Sequence, residues 1–272
     1  MTDDGRVVRG ESLGGVKSAE RTYTILEYLA DAKEASFASL VRDLGLPNSS
    51  GHQLLQTAVN RGYVEFDEAR RTFRLGYRLW EVAQSYRPAH DIVTVAQRLM
   101  DELRDVTKET VQLARLDGLD THYLAIAESP HPMKLVSHVG ARLAAHATAL
   151  GKALLAELPE QELDRRLRGA TLARFTDRTI TDRLRLEAEL HRIRAKRLAE
   201  DNEEYIVGCR CVAMPVRARG GMAVAVSVSV PVARYNRDVA RVIRTELARC
   251  VHAIERGAES MLALDMPGPV AS

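Results

Sequence analysis

Apolar residues return at helical spacing from Ser18 onward: Ile25, Leu26 and Leu29 share one face with Tyr23 at its edge, which predicts an amphipathic helix over 18–30 with Ser18 as its cap. Phe37, Leu40, Val41 and Leu44 mark a second short helix capped by Ser36, and Gly45, Leu46 and Pro47 break it. A third helix starts with Asn48 or Ser49 as cap and stops at Gly62, where a left-handed residue is expected. Leu54, Leu55, Ala58 and Val59 form its buried stripe, while Ser49, His52, Gln53, Gln56 and Asn60 lie on another, polar and nearly uncharged face. Two strand-length runs, 63–66 and 72–75, flank the charged tip Asp67-Glu68-Ala69-Arg70-Arg71 and predict a hairpin. Residues 75–86 return to helical spacing, and Arg87-Pro88 is expected to end that helix.

Beyond Pro88 helical and strand patterns alternate. Helices are expected near 91–107, 149–157, 159–167, 181–197 and 236–256, and strands near 111–115, 122–127, 134–139, 209–216 and 222–230. A sheet with helices on its faces is the natural packing, so the fold class is α+β. Along 222–230 the parity is sharp: Met222, Val224, Val226, Val228 and Val230 point one way, and Ala223, Ala225, Ser227 and Ser229 the other. The small, partly polar face is filled either by a closely packed helix or by a ligand. Cys209 and Cys211 share one side of their strand, and Thr148 is a cap for a helix start whose amides at Ala149, Leu150 and Gly151 would be free to receive an anion.

The 272 residues leave room for two domains. The first residues to about Gly15 read as a disordered arm, without the apolar stretch of a secretory signal, and no apolar run reaches the roughly 18 residues of a membrane span, so a cytoplasmic location is expected. Three cysteines make no disulfide framework, and the lone Cys209-x-Cys211 lacks the two spaced pairs of a zinc site; neither metal nor cofactor is expected. The net charge of +2 announces no nucleic-acid partner, and residues 1–87 hold 12 Lys and Arg against 12 Asp and Glu. DNA binding must therefore be argued from local geometry.

Helix, helix, turn, helix, hairpin is the order of a winged helix-turn-helix, whose third helix enters the DNA major groove. His52, Gln53 and Gln56 offer donors and acceptors to base edges, Ser49 and Ser50 suit phosphate, and Arg70, Arg71 and Arg74 add positive charge at the wing. The same polar helix face could instead be the solvated side of a metabolite sensor that works through a protein partner and never meets DNA. An enzyme would need an activated nucleophile; Cys209 or Cys211 with His146 or His138 is conceivable, but no context such as G-x-S-x-G marks one, and no enzyme is expected.

The runs Val16-Lys17-Ser18-Ala19-Glu20-Arg21, Leu44-Gly45-Leu46-Pro47-Asn48-Ser49-Ser50, Arg61-Gly62-Tyr63-Val64 and Phe73-Arg74-Leu75-Gly76 resemble the amino-terminal domain of the isocitrate lyase regulator (IclR) family of bacterial transcription factors. The resemblance continues through 146–155, Asp201-Asn202-Glu203-Glu204, Gly208-Cys209-Arg210-Cys211-Val212-Ala213 and Ser227-Val228-Ser229. It implies a DNA-binding domain over 16–76, a linker helix over 77–89 and a GAF-like effector domain over 90–258, assembled as a dimer or tetramer. It also implies effector contacts at Ala149, Leu150, Asp201, Cys209, Cys211, Ser227 and Ser229. Asn48 and Gln53 stand where members often carry a basic residue and an arginine, Gly51 replaces a bulkier residue, and Val230 replaces the usual glycine. The resulting expectation is a ligand-responsive regulator that binds a palindromic operator and a small organic acid.

Overall fold

The computed structural model describes residues 16–84, 87–217 and 223–264; the expected amino-terminal arm, Met222 and connector residues 85 and 86 lie outside them. Two compact units meet in sequence between Tyr86 and Arg87.

In the first unit, α1 (Lys17–Ala32) buries Ile25 and Leu29. It starts a residue earlier than expected, so Val16 takes the cap position without a side-chain bond, and Ser18 falls inside the first turn, its carbonyl accepting from the Thr22 hydroxyl. A two-residue strand, β1 (Ala35–Ser36), leads into α2 (Phe37–Asp43), where the Ser36 hydroxyl accepts the Ser39 N–H at 3.1 Å as predicted. The Leu46 N–H returns to the Val41 carbonyl at 3.0 Å and closes the turn before α3 (Asn48–Asn60).

Neither Asn48 nor Ser49 caps α3. Pro47 does, with its φ of −61° and its carbonyl accepting from Gly51, and no side chain bonds to the helix start. At the other end the Gly62 N–H meets Val59 and the Tyr63 N–H meets Ala58, a paired closure that needs the left-handed φ of +76° which Gly62 adopts without a Cβ penalty. The hairpin of β2 (Val64–Asp67) and β3 (Thr72–Leu75) follows, and β1 adds to the free edge of β3, so the described sheet has the order β1-β3-β2. Ile25, Leu29, Leu40, Leu55 and Val64 meet in its core, each contributing about 1.5–3 kcal/mol by burial. The connector helix, α4 (Arg78–Gln84), starts three residues later than its spacing predicts, because Leu75 still belongs to β3.

The second unit opens with α5 (Arg87–Thr107), so Arg87 and Pro88 are helical and the helix runs on past them instead of ending there. Then come β4 (Thr110–Asp117), β5 (Asp120–Ala127), β6 (Arg142–Ala144), α6 (Ala149–Glu157), α7 (Glu160–Leu167), α8 (Arg183–Lys196), β7 (Ala199–Asn202), β8 (Cys209–Val216), β9 (Val224–Pro231) and α9 (Arg237–Leu264). Among the described residues the strands form one antiparallel sheet in the order β6-β5-β4-β9-β8-β7. The strand expected at 134–139 is absent there: the segment is irregular, and the pairing with β5 is made by β6.

The two sides of β9 divide as its parity predicts. Val224, Val226, Val228 and Val230 join Met100, Leu247 and Val251 of α5 and α9 in one core, while Ala225 packs with Ala149, Leu150 and Ala153 of α6 in another. Helix α6 lies close because residue 151 is glycine: a Cβ there would stand 2.2 Å from the Ala145 backbone. No described helix is long and apolar enough to cross a membrane.

Candidate DNA interface and ligand cavity

On α3, Leu55 and Ala58 turn inward and Ser49, His52, Gln53, Gln56 and Asn60 are exposed, with Ser50 half-buried. The helix carries no acidic or basic residue in its first or last turn, so its outer face presents dipoles rather than charge. Gln56 Nε2 donates to Asn60 Oδ1 at 2.9 Å, which holds Gln56 along the helix surface, and the His52 ring sits edge-on to Phe37 with centroids 5.9 Å apart. Because no side chain caps the start of α3, the first amides remain available beside the Ser49 and Ser50 hydroxyls, the arrangement that receives a phosphate.

The wing is less cationic than its three arginines suggest. Arg70 pairs with Glu34 at 3.4 Å, Arg74 pairs with Glu65 at 2.9 Å, and the Arg71 guanidinium lies over the Phe66 ring, 5.5 Å from its centroid. All three stay exposed, so exchanging a surface carboxylate for a phosphate costs little, about 0–1 kcal/mol per pair.

In the second unit the seven residues named as effector contacts, Ala149, Leu150, Asp201, Cys209, Cys211, Ser227 and Ser229, line one cavity of about 260 Å³. Its floor is the small face of β8 and β9, and one wall is the start of α6. There the Thr148 hydroxyl accepts the Gly151 N–H at 3.1 Å, which removes the third of the amides expected to be free and leaves those of Ala149 and Leu150. The irregular segment around Leu135, Val136 and Ser137, together with Tyr123, Leu143 and Ile206, closes the space. The sequence pattern had not pointed to these six, because their side chains reach the cavity from elements far apart in the chain.

The cavity's electrostatics come from one buried acid cluster. Lys152, inside the apolar α6 and 1% exposed, meets Glu204 at 2.6 Å, and Asp201 Oδ1 accepts the Glu204 N–H at 2.7 Å. Burial, reinforced by the Glu204 charge, pushes Asp201 up to about 7, against the opposing pull of its backbone hydrogen bond and of Lys152. The folded chain thus holds this proton more tightly than the unfolded chain. The resulting stabilisation is complete below pH 4 and is lost as pH rises toward 7. Denaturant unfolding of the wild type and of Asp201→Asn across pH 4–8 is therefore expected to show the wild type losing on the order of 4 kcal/mol relative to the variant. Parallel curves would remove Asp201 as the titrating group.

Cys211 is held well above its ordinary range by its contact with Cys209 and by burial, and it pairs with Ser229 Oγ at 3.2 Å. His146 is engaged with the Ala173 carbonyl at 2.9 Å, and among the described residues no hydrogen bond joins either thiol to a histidine.

Comparison with known proteins agrees with this division. Residues 18–68 match the profile of the IclR helix-turn-helix domain, and residues 84–256 match that of the bacterial transcriptional regulator IclR C-terminal domain. The HTH-type transcriptional regulator BhcR of Paracoccus denitrificans is 34% identical over 83% of this chain and 81% of its own. A solved protein of Rhodococcus sp. RHA1 is 30% identical, with a TM-score of 0.77 over 91% of this chain and 100% of that one. An IclR homolog of Microbacterium hydrocarbonoxydans, solved in complex with 4-hydroxybenzoate, shares the fold at 24% identity with a TM-score of 0.78, over 89% of this chain and 99% of that one.

Proposed function

The chain belongs to the IclR family of bacterial transcriptional regulators, with a helix-turn-helix DNA-binding domain and a C-terminal effector domain, and from that premise we propose that α3 reads an operator half-site while the cavity binds a small organic acid. The observation that carries the effector half is the convergence of seven separately placed residues on one cavity beside a helix start. The amides of Ala149 and Leu150, which have no hydrogen-bond acceptor among the described residues, suit a carboxylate. The exposed, uncharged dipoles of Ser49, His52, Gln53 and Gln56 carry the other half, with Ser50 and with Arg70, Arg71 and Arg74 on the phosphates.

The regulator works as a homodimer or homotetramer on a palindromic site, in the cytoplasm where the chromosome lies. A ligand that prefers one arrangement of the two units changes the half-site spacing and so the affinity for DNA, acting through the segment 77–89.

Calorimetric titration of the full chain with a panel of small carboxylic acids tests the cavity. At least one acid is expected to bind, and Ser229→Trp, which fills the floor, is expected to abolish that binding. Binding that survives the tryptophan unchanged would place the ligand elsewhere.

A further inference from the structure

Gln112 lies on β4 beside β9, fully buried, and its register partner on β9 is Ser227. Both cavity-floor hydroxyls, Ser227 Oγ and Ser229 Oγ, donate to its Oε1 at 3.0 Å, while its Nε2 is buried without a partner among the described residues. A serine hydroxyl carries a single proton. With that proton committed to Gln112, each serine shows the cavity only lone pairs.

The neighbouring thiol is compatible with the same polarity. Cys211 Sγ sits 3.2 Å from Ser229 Oγ, and the thiol retains its proton because Cys209 and burial hold it so high. With the Ser229 proton given to Gln112 Oε1, the Ser229 oxygen is open to accept the thiol proton, so this contact fits a chain that runs from Cys211 to Ser229 to Gln112.

We propose that Gln112 sets the hydrogen-bond polarity of the two floor serines, so that both accept and neither donates to the cavity, and that the effector is consequently a hydroxylated monocarboxylic acid: its hydroxyl donates to Ser227 or Ser229 while its carboxylate faces the start of α6. This rests on the assignment of the cavity as the effector site and narrows the ligand class. A second carboxylate at the floor would face the lone pairs of two serines.

The test is a calorimetric comparison of matched pairs that differ by one hydroxyl, lactate against propionate and 4-hydroxybenzoate against benzoate among them, on wild type, Gln112→Met, the double variant Ser227→Ala with Ser229→Ala, and Ser229→Trp. Wild type is expected to prefer the hydroxylated member of the pair that binds by about tenfold or more, the penalty for leaving a site oxygen unpaired. Gln112→Met frees both serine protons and is expected to erase or reverse that preference. The double alanine variant erases it as well and carries the test should Gln112→Met fail to fold. Equal or tighter binding of the unhydroxylated acid by wild type, still blocked by Ser229→Trp, overturns the polarity assignment and leaves the cavity intact as the site. Binding indifferent to Ser229→Trp, or a panel in which no acid binds, overturns the site assignment and the proposal with it.

Discussion

Alanine at both Gln53 and Gln56 is expected to lower the affinity of the full chain for its operator by about a hundredfold, while affinity for unrelated DNA changes little. Each bidentate contact between a glutamine and an adenine contributes roughly 1–3 kcal/mol of discrimination, so two lost contacts reach that factor at the lower part of their combined range. Non-specific affinity arises from phosphate neutralisation, to which an uncharged amide adds nothing. Both side chains are exposed on a helix whose core contacts are made by Leu55 and Ala58, so their removal leaves folding within about 0.5 kcal/mol. The hydrogen bond from Gln56 to Asn60 sharpens the expectation, because it already limits the rotamers Gln56 would otherwise lose on binding. Filter binding or fluorescence anisotropy with operator and scrambled duplexes separates the two effects. An equal loss on both duplexes would mean that the variant had damaged the domain, and no loss on either would remove α3 from base contact.

The second large effect lies behind the cavity. Lys152→Met is expected to destabilise the second unit by about 3–5 kcal/mol, because it leaves the Glu204 carboxylate buried with its charge uncompensated. Glu204 Oε2 already has no hydrogen-bond partner among the described residues, so Lys152 is the principal compensation for that charge. Adding Glu204→Leu to Lys152→Met is expected to recover most of the loss, since an apolar pair of similar volume avoids the desolvation cost of both ions. Urea unfolding of the three proteins gives the comparison directly. A single variant within 1 kcal/mol of wild type would show that the pair contributes nothing, and an unrescued double variant would show that packing rather than charge was lost. The consequence reaches the ligand site, because the Glu204 N–H holds Asp201 at the cavity wall.

What the sequence disclosed depended on whether the signal was local. The end of α3 is written in Gly62 and its inward stripe in residues three and four apart, so both were legible; its start was not, because Pro47 caps through its carbonyl and the side chains of Asn48 and Ser49 take no part. The parity of β9 foretold which residues face the cavity, since valines alternate with alanine and serine at the period of a strand. Strands β1 and β7 escaped notice because they are two and four residues long and exist by pairing with β3 and β8. The segment 134–139 misled for the opposite reason: its apolar Leu135 and Val136 suggested a strand, yet they belong to an irregular cover over a ligand-sized space. Lys152 carried no signal at all, being a single cation in an apolar helix whose partner lies 52 residues away. Gln112 is a polar residue in a buried strand, and only its two serine partners on β9 give it a role.

The claim on which everything else depends is that an acid in the cavity of the second unit governs what α3 does on DNA. The most direct test selects the duplexes that the full-length protein retains from genomic fragments and titrates the best of them over a range of salt concentrations, with and without the acid found by calorimetry. The account predicts one enriched palindromic sequence, a logarithmic loss of affinity with salt, and a shift of that whole line when the acid is present. Retention of no particular sequence, or an affinity that the bound acid leaves unmoved, would contradict it.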